Sequence, residues 1–290
     1  MTVLEAIQKS TDFLAKKGVD SPRLQSELLL AHVLETPRLK LYLDFTRRLD
    51  EEQAGSFREL IKRRGNREPL QHILGSTSFC GLEITVNNSV LVPRPETELL
   101  AEEGWKHLNS LGGRPGSFLD FGTGSGCIAL ALCHFAANAR GWALDKSDEA
   151  LKMARFNIEK HQLANRLSFV QSNAFENLDP ALRFDLIISN PPYIPSKDLP
   201  SLQDEVRKFD PPSALDGGPD GLDFYRLLAA EVPRHLAAGG KLMLEFGDGQ
   251  EKWIPGILES HGWIMELVLN DYSSRPRVGV AKRASGMEMN

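Results

Sequence analysis

The four consecutive residues Asn190-Pro191-Pro192-Tyr193 carry the most chemical information in this chain. They follow Asp185-Leu186-Ile187-Ile188-Ser189, an apolar run of strand length. Proline has a fixed φ and no N–H, and Pro191 biases Asn190 towards an extended backbone. The outcome is a stiff loop with one side-chain amide oxygen, free backbone carbonyls and a flat aromatic face. Such a surface can hold a planar NH2 group with both hydrogens engaged. The plain alternative is a proline-rich turn that merely ends a strand.

A second constellation lies upstream. Phe118-Leu119-Asp120-Phe121 reads as a short strand, followed by Gly122-Thr123-Gly124-Ser125-Gly126 and the helical-looking Cys127-Ile128-Ala129-Leu130-Ala131-Leu132. Glycines at alternate positions let backbone approach a ligand and turn a strand into a helix. The helix N-terminus then offers free N–H groups to an anion. Dinucleotide enzymes and plain tight turns share such loops. Asp145, however, ends a second apolar run, Gly141-Trp142-Ala143-Leu144, about 20 residues further on, the spacing at which a carboxylate takes ribose hydroxyls. Ser147 caps the next helix, with Asp148 and Glu149 in its first turn. A simple capping role is the alternative for Asp145.

The elements that must position these residues fall into three stretches. Residues 1–75 read as a small helical bundle. Val3, Leu4, Ile7 and Leu14 repeat at helical spacing up to Gly18, Ser21-Pro22 opens a second helix, and a third covers roughly 51–65. It contains no catalytic constellation and reads as a substrate-recognition or docking domain. Residues 76–92 read as a β-hairpin connector with a turn at Asn87-Asn88. In residues 93–284, Pro93-Arg94-Pro95-Glu96 feeds a helix running to about Leu111, with Arg94 and Glu96 either on the rim of a ligand site or simply at a helix start. Strands then follow at 117–121, 140–144, 167–171, 184–189 and 240–246, with a final pair near 263–270 and 277–282, and helices between the first five. That alternation predicts a mostly parallel seven-stranded sheet in an α/β domain, with ligands beyond the carboxyl ends of the strands. Gly122–Gly126, Asp145, Asn173 and Asn190–Tyr193 all fall at such ends. The Pro/Gly/Asp-rich stretch 210–221 is placed to act as a flap.

Composition narrows the class. With 290 residues, 41% apolar and 25% charged, the chain has room for two soluble domains. No apolar run approaches the roughly 18 residues of a membrane span, and Met1-Thr2-Val3-Leu4-Glu5-Ala6 lacks a signal-peptide pattern. Cys80, Cys127 and Cys133 have neither paired nor metal-ligand spacing. The expectation is a reduced, cytoplasmic, metal-free protein. Residues 1–85 hold 13 Lys/Arg against 12 Asp/Glu, and the remainder is acidic. That balance argues against direct binding of nucleic acid. Lys62-Arg63-Arg64 with Arg67, and Arg47-Arg48, are local basic patches that read as solvated helix faces or as a docking site.

These residues together resemble a known family. The chain is similar to Rossmann-like class I S-adenosylmethionine-dependent methyltransferases, and more narrowly to peptide chain release factor glutamine N5-methyltransferases. The resemblance spans the helical N-terminal stretch, Leu91-Val92-Pro93-Arg94-Pro95-Glu96-Thr97-Glu98, the glycine loop, Asn190-Pro191-Pro192-Tyr193-Ile194 and Asn270-Asp271-Tyr272-Ser273-Ser274-Arg275-Pro276-Arg277. It implies S-adenosyl-L-methionine as cofactor and S-adenosyl-L-homocysteine as product. Gly122, Thr123, Gly124, Ser125 and Gly126 would cradle the methionine part, Asp120 would meet its ammonium, and Asp145 would hold the ribose. Asn173-Ala174 occupies the adenine position, where the family usually has Asp and a bulkier residue. The acceptor implied is the glutamine of a Gly-Gly-Gln motif in class 1 release factors. Asn190 Oδ1 and the Pro191 carbonyl would take its two amide hydrogens, with Pro192 stiffening the loop and Tyr193 packing on the amide. An adenine N6-methyltransferase acting on nucleic acid would use the same loop. A nicotinamide dehydrogenase or nucleotide-binding module would leave Asn190–Tyr193 without a role.

Overall fold

The computed structural model describes residues 1–284, which divide into two compact units: Met1–Ser76 with Gln203–Phe209, and Thr77–Leu202 with the residues from Asp210 onward. The first unit is helical. α1 (Val3–Lys16) opens with a capping box, in which Glu5 N–H donates to Thr2 Oγ1 at 3.2 Å and Thr2 N–H donates to Glu5 Oε2 at 2.9 Å. α2 (Pro22–Val33) starts on its proline, and α3 (Glu51–Gly65) carries a second capping box, Asp50 with Gln53. The short α4 (Leu70–Leu74) follows. Val3, Ile7, Leu14, Leu29, Leu30, Phe57 and Ile61 form the common core. Glu27 is buried in α2 and accepts hydrogen bonds from Arg23, Arg38 and the Tyr42 hydroxyl, which fixes the turn at Arg38–Leu43.

The helix Asp204–Phe209, taken from far along the chain, completes this unit. Its Glu205 accepts from Arg64 at 2.8 Å and pairs with Arg67 at 2.6 Å, and Arg63 pairs with Glu68. Most of the basic run at 62–67 is therefore neutralised inside its own unit, and Lys62 is its exposed member.

The second unit begins with a hairpin of β1 (Ser76–Phe79) and β2 (Leu82–Thr85). The hairpin reverses at Cys80-Gly81, with φ of 51° and 75°, and the turn expected at Asn87-Asn88 follows it, closed by Val90 N–H on the Asn87 carbonyl at 3.3 Å. Two positive φ values in a two-residue loop match the right-handed twist of paired strands. α5 (Pro95–Asn109) leads into β3 (Ser117–Phe121), α6 (Cys127–Phe135), β4 (Arg140–Asp145), α7 (Asp148–Lys160), β5 (Leu167–Gln171) and β6 (Phe184–Ser189). A helix (Asp223–Glu231) precedes β7 (Leu236–Glu245), and another (Ile254–Ser260) precedes the antiparallel pair β8 (Trp263–Asn270) and β9 (Pro276–Arg283).

The seven strands run in the order β5-β4-β3-β6-β7-β9-β8, parallel from β5 through β7 and antiparallel at β9 and β8. Phe118, Leu186 and Ile188 face the layer of α5, α6 and α7, while Leu119, Phe121 and Ile187 face Tyr225, Leu228 and Ile254. Sequence alternation places a helix between β5 and β6, and the structure has turns there. Ser172 Oγ and Asp179 Oδ1 accept from the N–H groups of Asn177 and Ala181, and Ala174 sits at φ 54°. Local side-chain bonds of this kind compete with a helix. Among the described residues, no helix is long and apolar enough to cross a membrane.

Candidate active site

The chain winds from β3 outward to β5, then returns to the other side of β3 with β6, so the order of strands switches between β3 and β6. Ligands of open α/β sheets bind beyond the strand ends at such a point. Register aligns Asp120 with Ile188, which puts Asn190 just past the end of the strand beside Asp120. Ser189 Oγ donates to the Phe121 carbonyl at 2.7 Å and ties the two strand ends together.

The glycine loop turns directly off β3. Gly122, Gly124 and Gly126 have φ of 73°, 54° and 79°, a region that disfavours any residue with a Cβ. Their surroundings differ. A Cβ on Gly126 would lie 2.9 Å from Ala154 Cβ, so this glycine lets the loop press on α7. A Cβ on Gly122 or Gly124 would meet nothing within 4 Å. Those two positions face open space of the kind a ligand fills. Asn157 holds the loop from below, donating to the Ser125 and Thr85 carbonyls at 2.9 Å each.

Asp120 is fully buried beneath this loop. Its Oδ2 accepts from Thr123 Oγ1 at 2.6 Å and from Ala129 N–H at 3.2 Å, and its Oδ1 has no partner. Burial, opposed by those two bonds, pushes its carboxyl up to about 7. Asp145, at the end of β4, accepts from Gly124 N–H and from Ser147 N–H, both at 2.9 Å, and burial raises its pKa too. Asn173, past the end of β5, is exposed and donates from Nδ2 to Glu176 Oε1 at 2.7 Å. Ser172 N–H bonds the Asp145 carbonyl at 3.0 Å, so Asp145 and Asn173 stand at adjoining strand ends. Ala174 packs with its methyl towards the second core layer.

Across the switch point, Asn190 Nδ2 donates to Thr97 Oγ1 on α5 at 3.1 Å. Pro191 is buried, and Pro192 and Tyr193 are half-buried. The loop is gripped from behind by Gln250, whose Nε2 donates to the Tyr193 and Gly221 carbonyls at 3.0 and 3.1 Å while Oε1 accepts from Gly247 N–H at 2.9 Å. Glycines allow this closeness. A Cβ on Gly221 would collide with the Tyr193 carbonyl, and one on Gly247 would sit 2.9 Å from the Tyr193 ring. Burial pushes the Tyr193 hydroxyl up to about 12.

The stretch 210–221 does not form a free flap. Ile194 N–H bonds the Leu215 carbonyl at 3.0 Å, Gly217 N–H bonds the Ile194 carbonyl at 2.9 Å, and Asp210 pairs with Arg94 at 2.8 Å. It braces the segment after Tyr193. An open groove of about 990 Å³ lies on the far side of Tyr193, lined among others by Arg226, Asp248 and Trp253, and includes none of the glycine loop. Sequence reasoning did not single out Thr97, Glu245 or Gln250. The one signal for Glu245 is an acid inside the otherwise apolar Leu242-Met243-Leu244-Glu245-Phe246.

The glycine loop off the first parallel strand, two carboxylates below it and an Asn-Pro-Pro-Tyr loop across the switch point define a Rossmann-like class I methyltransferase. Residues 97–203 match the methyltransferase small domain, and residues 5–75 match the PrmC N-terminal domain. A solved methyltransferase from Pyrococcus furiosus shares the fold, with a TM-score of 0.52 at 22% identity, covering 71% of this chain and 91% of that one. The release factor glutamine methyltransferase of Geobacter sulfurreducens is 42% identical over 277 residues, covering 96% of this chain and 95% of the relative. That of Rhodospirillum rubrum is 42% identical over 266 residues, 92% of this chain and 80% of the relative. The chain belongs to the release factor glutamine methyltransferase family.

Proposed function

We propose that this enzyme transfers the methyl group of S-adenosyl-L-methionine to the side-chain amide nitrogen of the glutamine in the Gly-Gly-Gln motif of class 1 peptide chain release factors, acting in the cytoplasm. The products are N5-methylglutamine, S-adenosyl-L-homocysteine and a proton released to water. The observation that carries this reading is a match along nearly the whole chain to enzymes of that name, with the Asn190 loop and the glycine loop meeting at one switch point.

The residues present fit the cofactor. The unpartnered Asp120 Oδ1 suits an ammonium, and the open space over Gly122 and Gly124 suits a chain lying against backbone. Thr123, Ser125 and Gly126 complete that loop. Asp145 would accept from ribose hydroxyls, and Asn173 with Ala174 would border the adenine. When bound, the cofactor supplies an electrophilic methyl on a sulfonium.

The chain's own residues supply the rest. An amide nitrogen is a poor nucleophile because its lone pair is delocalised. Asn190 Oδ1 and the Pro191 carbonyl would accept its two hydrogens, which raises electron density on nitrogen and aims it. Pro192 and the Gln250 grip keep that acceptor pair in place, and Tyr193 offers a flat wall. Holding reactants in line contributes up to roughly 7–11 kcal/mol in well-oriented cases.

The test offers labelled S-adenosyl-L-methionine to a recombinant class 1 release factor, to the same factor with its Gly-Gly-Gln glutamine replaced, and to DNA. Label on the intact factor alone is the expected result. Label on DNA and none on the factor overturns the reading in favour of an adenine methyltransferase.

A further inference from the structure

Behind Asn190 lies a carboxylate to which the reading above gives no work. Glu245 ends β7, is 2% exposed and sits between Leu244 and Phe246. A carboxylate in such a place is costly unless its neighbours hydrogen-bond it, so those neighbours are informative. The Thr97 hydroxyl and the Asn190 carboxamide face it and favour its ionised form against burial, and Oε2 has no partner. The charges facing it are Arg277 from β9 and Glu96 from α5. The Tyr193 and Tyr225 hydroxyls approach from the loop after β6 and from the helix Asp223–Glu231. Arg277 is itself engaged, donating to Asp248 Oδ1 at 2.8 Å and to the Phe246 carbonyl at 3.1 Å.

The direction of hydrogen bonding follows from which groups can donate. A carboxylate only accepts, and a threonine hydroxyl has one hydrogen. If Glu245 takes that hydrogen, Thr97 Oγ1 can only accept from Asn190. Asn190 must then turn its NH2 inward, as the 3.1 Å bond from Nδ2 to Thr97 Oγ1 records. Its Oδ1 is left pointing away from Thr97.

We propose that Glu245 is a positioning residue which, through Thr97, locks the Asn190 carboxamide with Oδ1 towards the acceptor nitrogen. The inference rests on the function proposed above. A protonated Glu245 reverses the chain. Its O–H donates to Thr97 Oγ1, the Thr97 hydrogen goes to Asn190 Oδ1, and the Asn190 NH2 turns to face another NH2. Burial pushes the Glu245 carboxyl up to about 7, so both states are populated near neutrality. The locked state is the ionised one, and transfer rises with pH through that value.

The experiment measures kcat between pH 5.5 and 8.5, with saturating S-adenosyl-L-methionine and release factor, for the wild type, Glu245→Gln, Thr97→Val and Thr97→Ser. Glutamine can donate as well as accept, so Glu245→Gln should lose about tenfold in kcat, the worth of one hydrogen bond. It should also lose the rise near pH 7. Thr97→Val should lose on the order of 100-fold, as misplaced reacting groups do, and Thr97→Ser should restore activity. Cofactor affinity by calorimetry should be unchanged throughout. A Glu245→Gln enzyme with wild-type kcat and pH profile overturns the proposal, as does a Thr97→Val enzyme whose only defect is cofactor binding.

A second readout needs no acceptor. In the complex with S-adenosyl-L-homocysteine, the NMR signals of the Asn190 side-chain NH2 should titrate near pH 7 in the wild type and stay flat in Glu245→Gln. If the wild type methylates no release factor, the proposed function falls while this titration still decides the lock. Flat Asn190 signals in an active wild type sink the lock alone.

Discussion

Replacing Asp120 with asparagine should stabilise the unliganded protein and weaken its hold on the cofactor. The carboxyl is fully buried, with Oδ1 unpartnered and its pKa raised by burial from 3.8 to about 7. The folded state therefore binds this proton more tightly than the unfolded chain does. Its contribution to stability is full below about 3.8, declines as pH rises towards about 7, and stays reduced above. A gap of about three pH units corresponds to about 4 kcal/mol. Asp120→Asn escapes that decline, so it should be more stable than the wild type at pH 8 by up to about 4 kcal/mol and should match it near pH 4. Its Oδ1 can replace the carboxylate oxygen that accepts from Thr123 and Ala129. That leaves Nδ2 in the place of the unpartnered Oδ1, a donor where the proposed site would seat the cofactor's ammonium. Losing a charged hydrogen bond there should weaken binding by about 1.5–3 kcal/mol. Wild-type affinity should rise by up to about tenfold per pH unit below 7, and the variant should lack that slope. Urea unfolding of ligand-free protein at pH 4 and 8, with calorimetric titration of the cofactor from pH 5.5 to 8, measures both effects. A variant less stable than the wild type at pH 8, or a wild type whose affinity ignores pH, refutes the reasoning.

Asn190→Ala should reduce methyl transfer to release factor by at least about 100-fold while the cofactor dissociation constant, read by calorimetry, stays within about threefold, under 1 kcal/mol. Gly126→Ala forces a Cβ to 2.9 Å from Ala154 Cβ at a φ of 79° and should cost about 1–3 kcal/mol in chemical denaturation. Gly124→Ala, with open space around it, should fold with a loss of about 1 kcal/mol but bind cofactor poorly. Gln250→Ala strips partners from the Tyr193 and Gly221 carbonyls and from Gly247 N–H. It should cost about 1–3 kcal/mol and speed hydrogen exchange at Gly247, with kcat falling more than cofactor affinity.

Much of this organisation is legible in the residues because it rests on local rules. Buried parallel strands need short unbroken apolar runs, so Phe118–Phe121 and Leu186–Ile188 announce themselves, and the helical spacing of Val3, Ile7 and Leu14 marks α1. Gly122–Gly126, Asp145 and Asn190 are readable because their types are unusual at strand ends. What escaped depends on partners distant in sequence. Thr97 matters through Asn190, 93 residues away, and Gln250 through Tyr193, 57 away. The hairpin reversal at Cys80 was hidden because cysteine carries no turn signal, although its φ is 51°. The turns between β5 and β6 came from side-chain bonds at Ser172 and Asp179 that helical periodicity does not register.

The helix Asp204–Phe209 carries a consequence for synthesis on the ribosome. Residues 1–76 emerge before Gln203–Phe209 and include Arg64, whose side chain is nearly buried in the complete unit. Its carboxylate partner, Glu205, is translated only after β6 and the Asn190 loop. The N-terminal unit therefore waits for about half the chain before its last ion pair can close. A fragment ending at Ser76 leaves Arg64 and Arg67 without that acid. A graft that exchanges the helical unit between relatives has to carry Gln203–Phe209 with it.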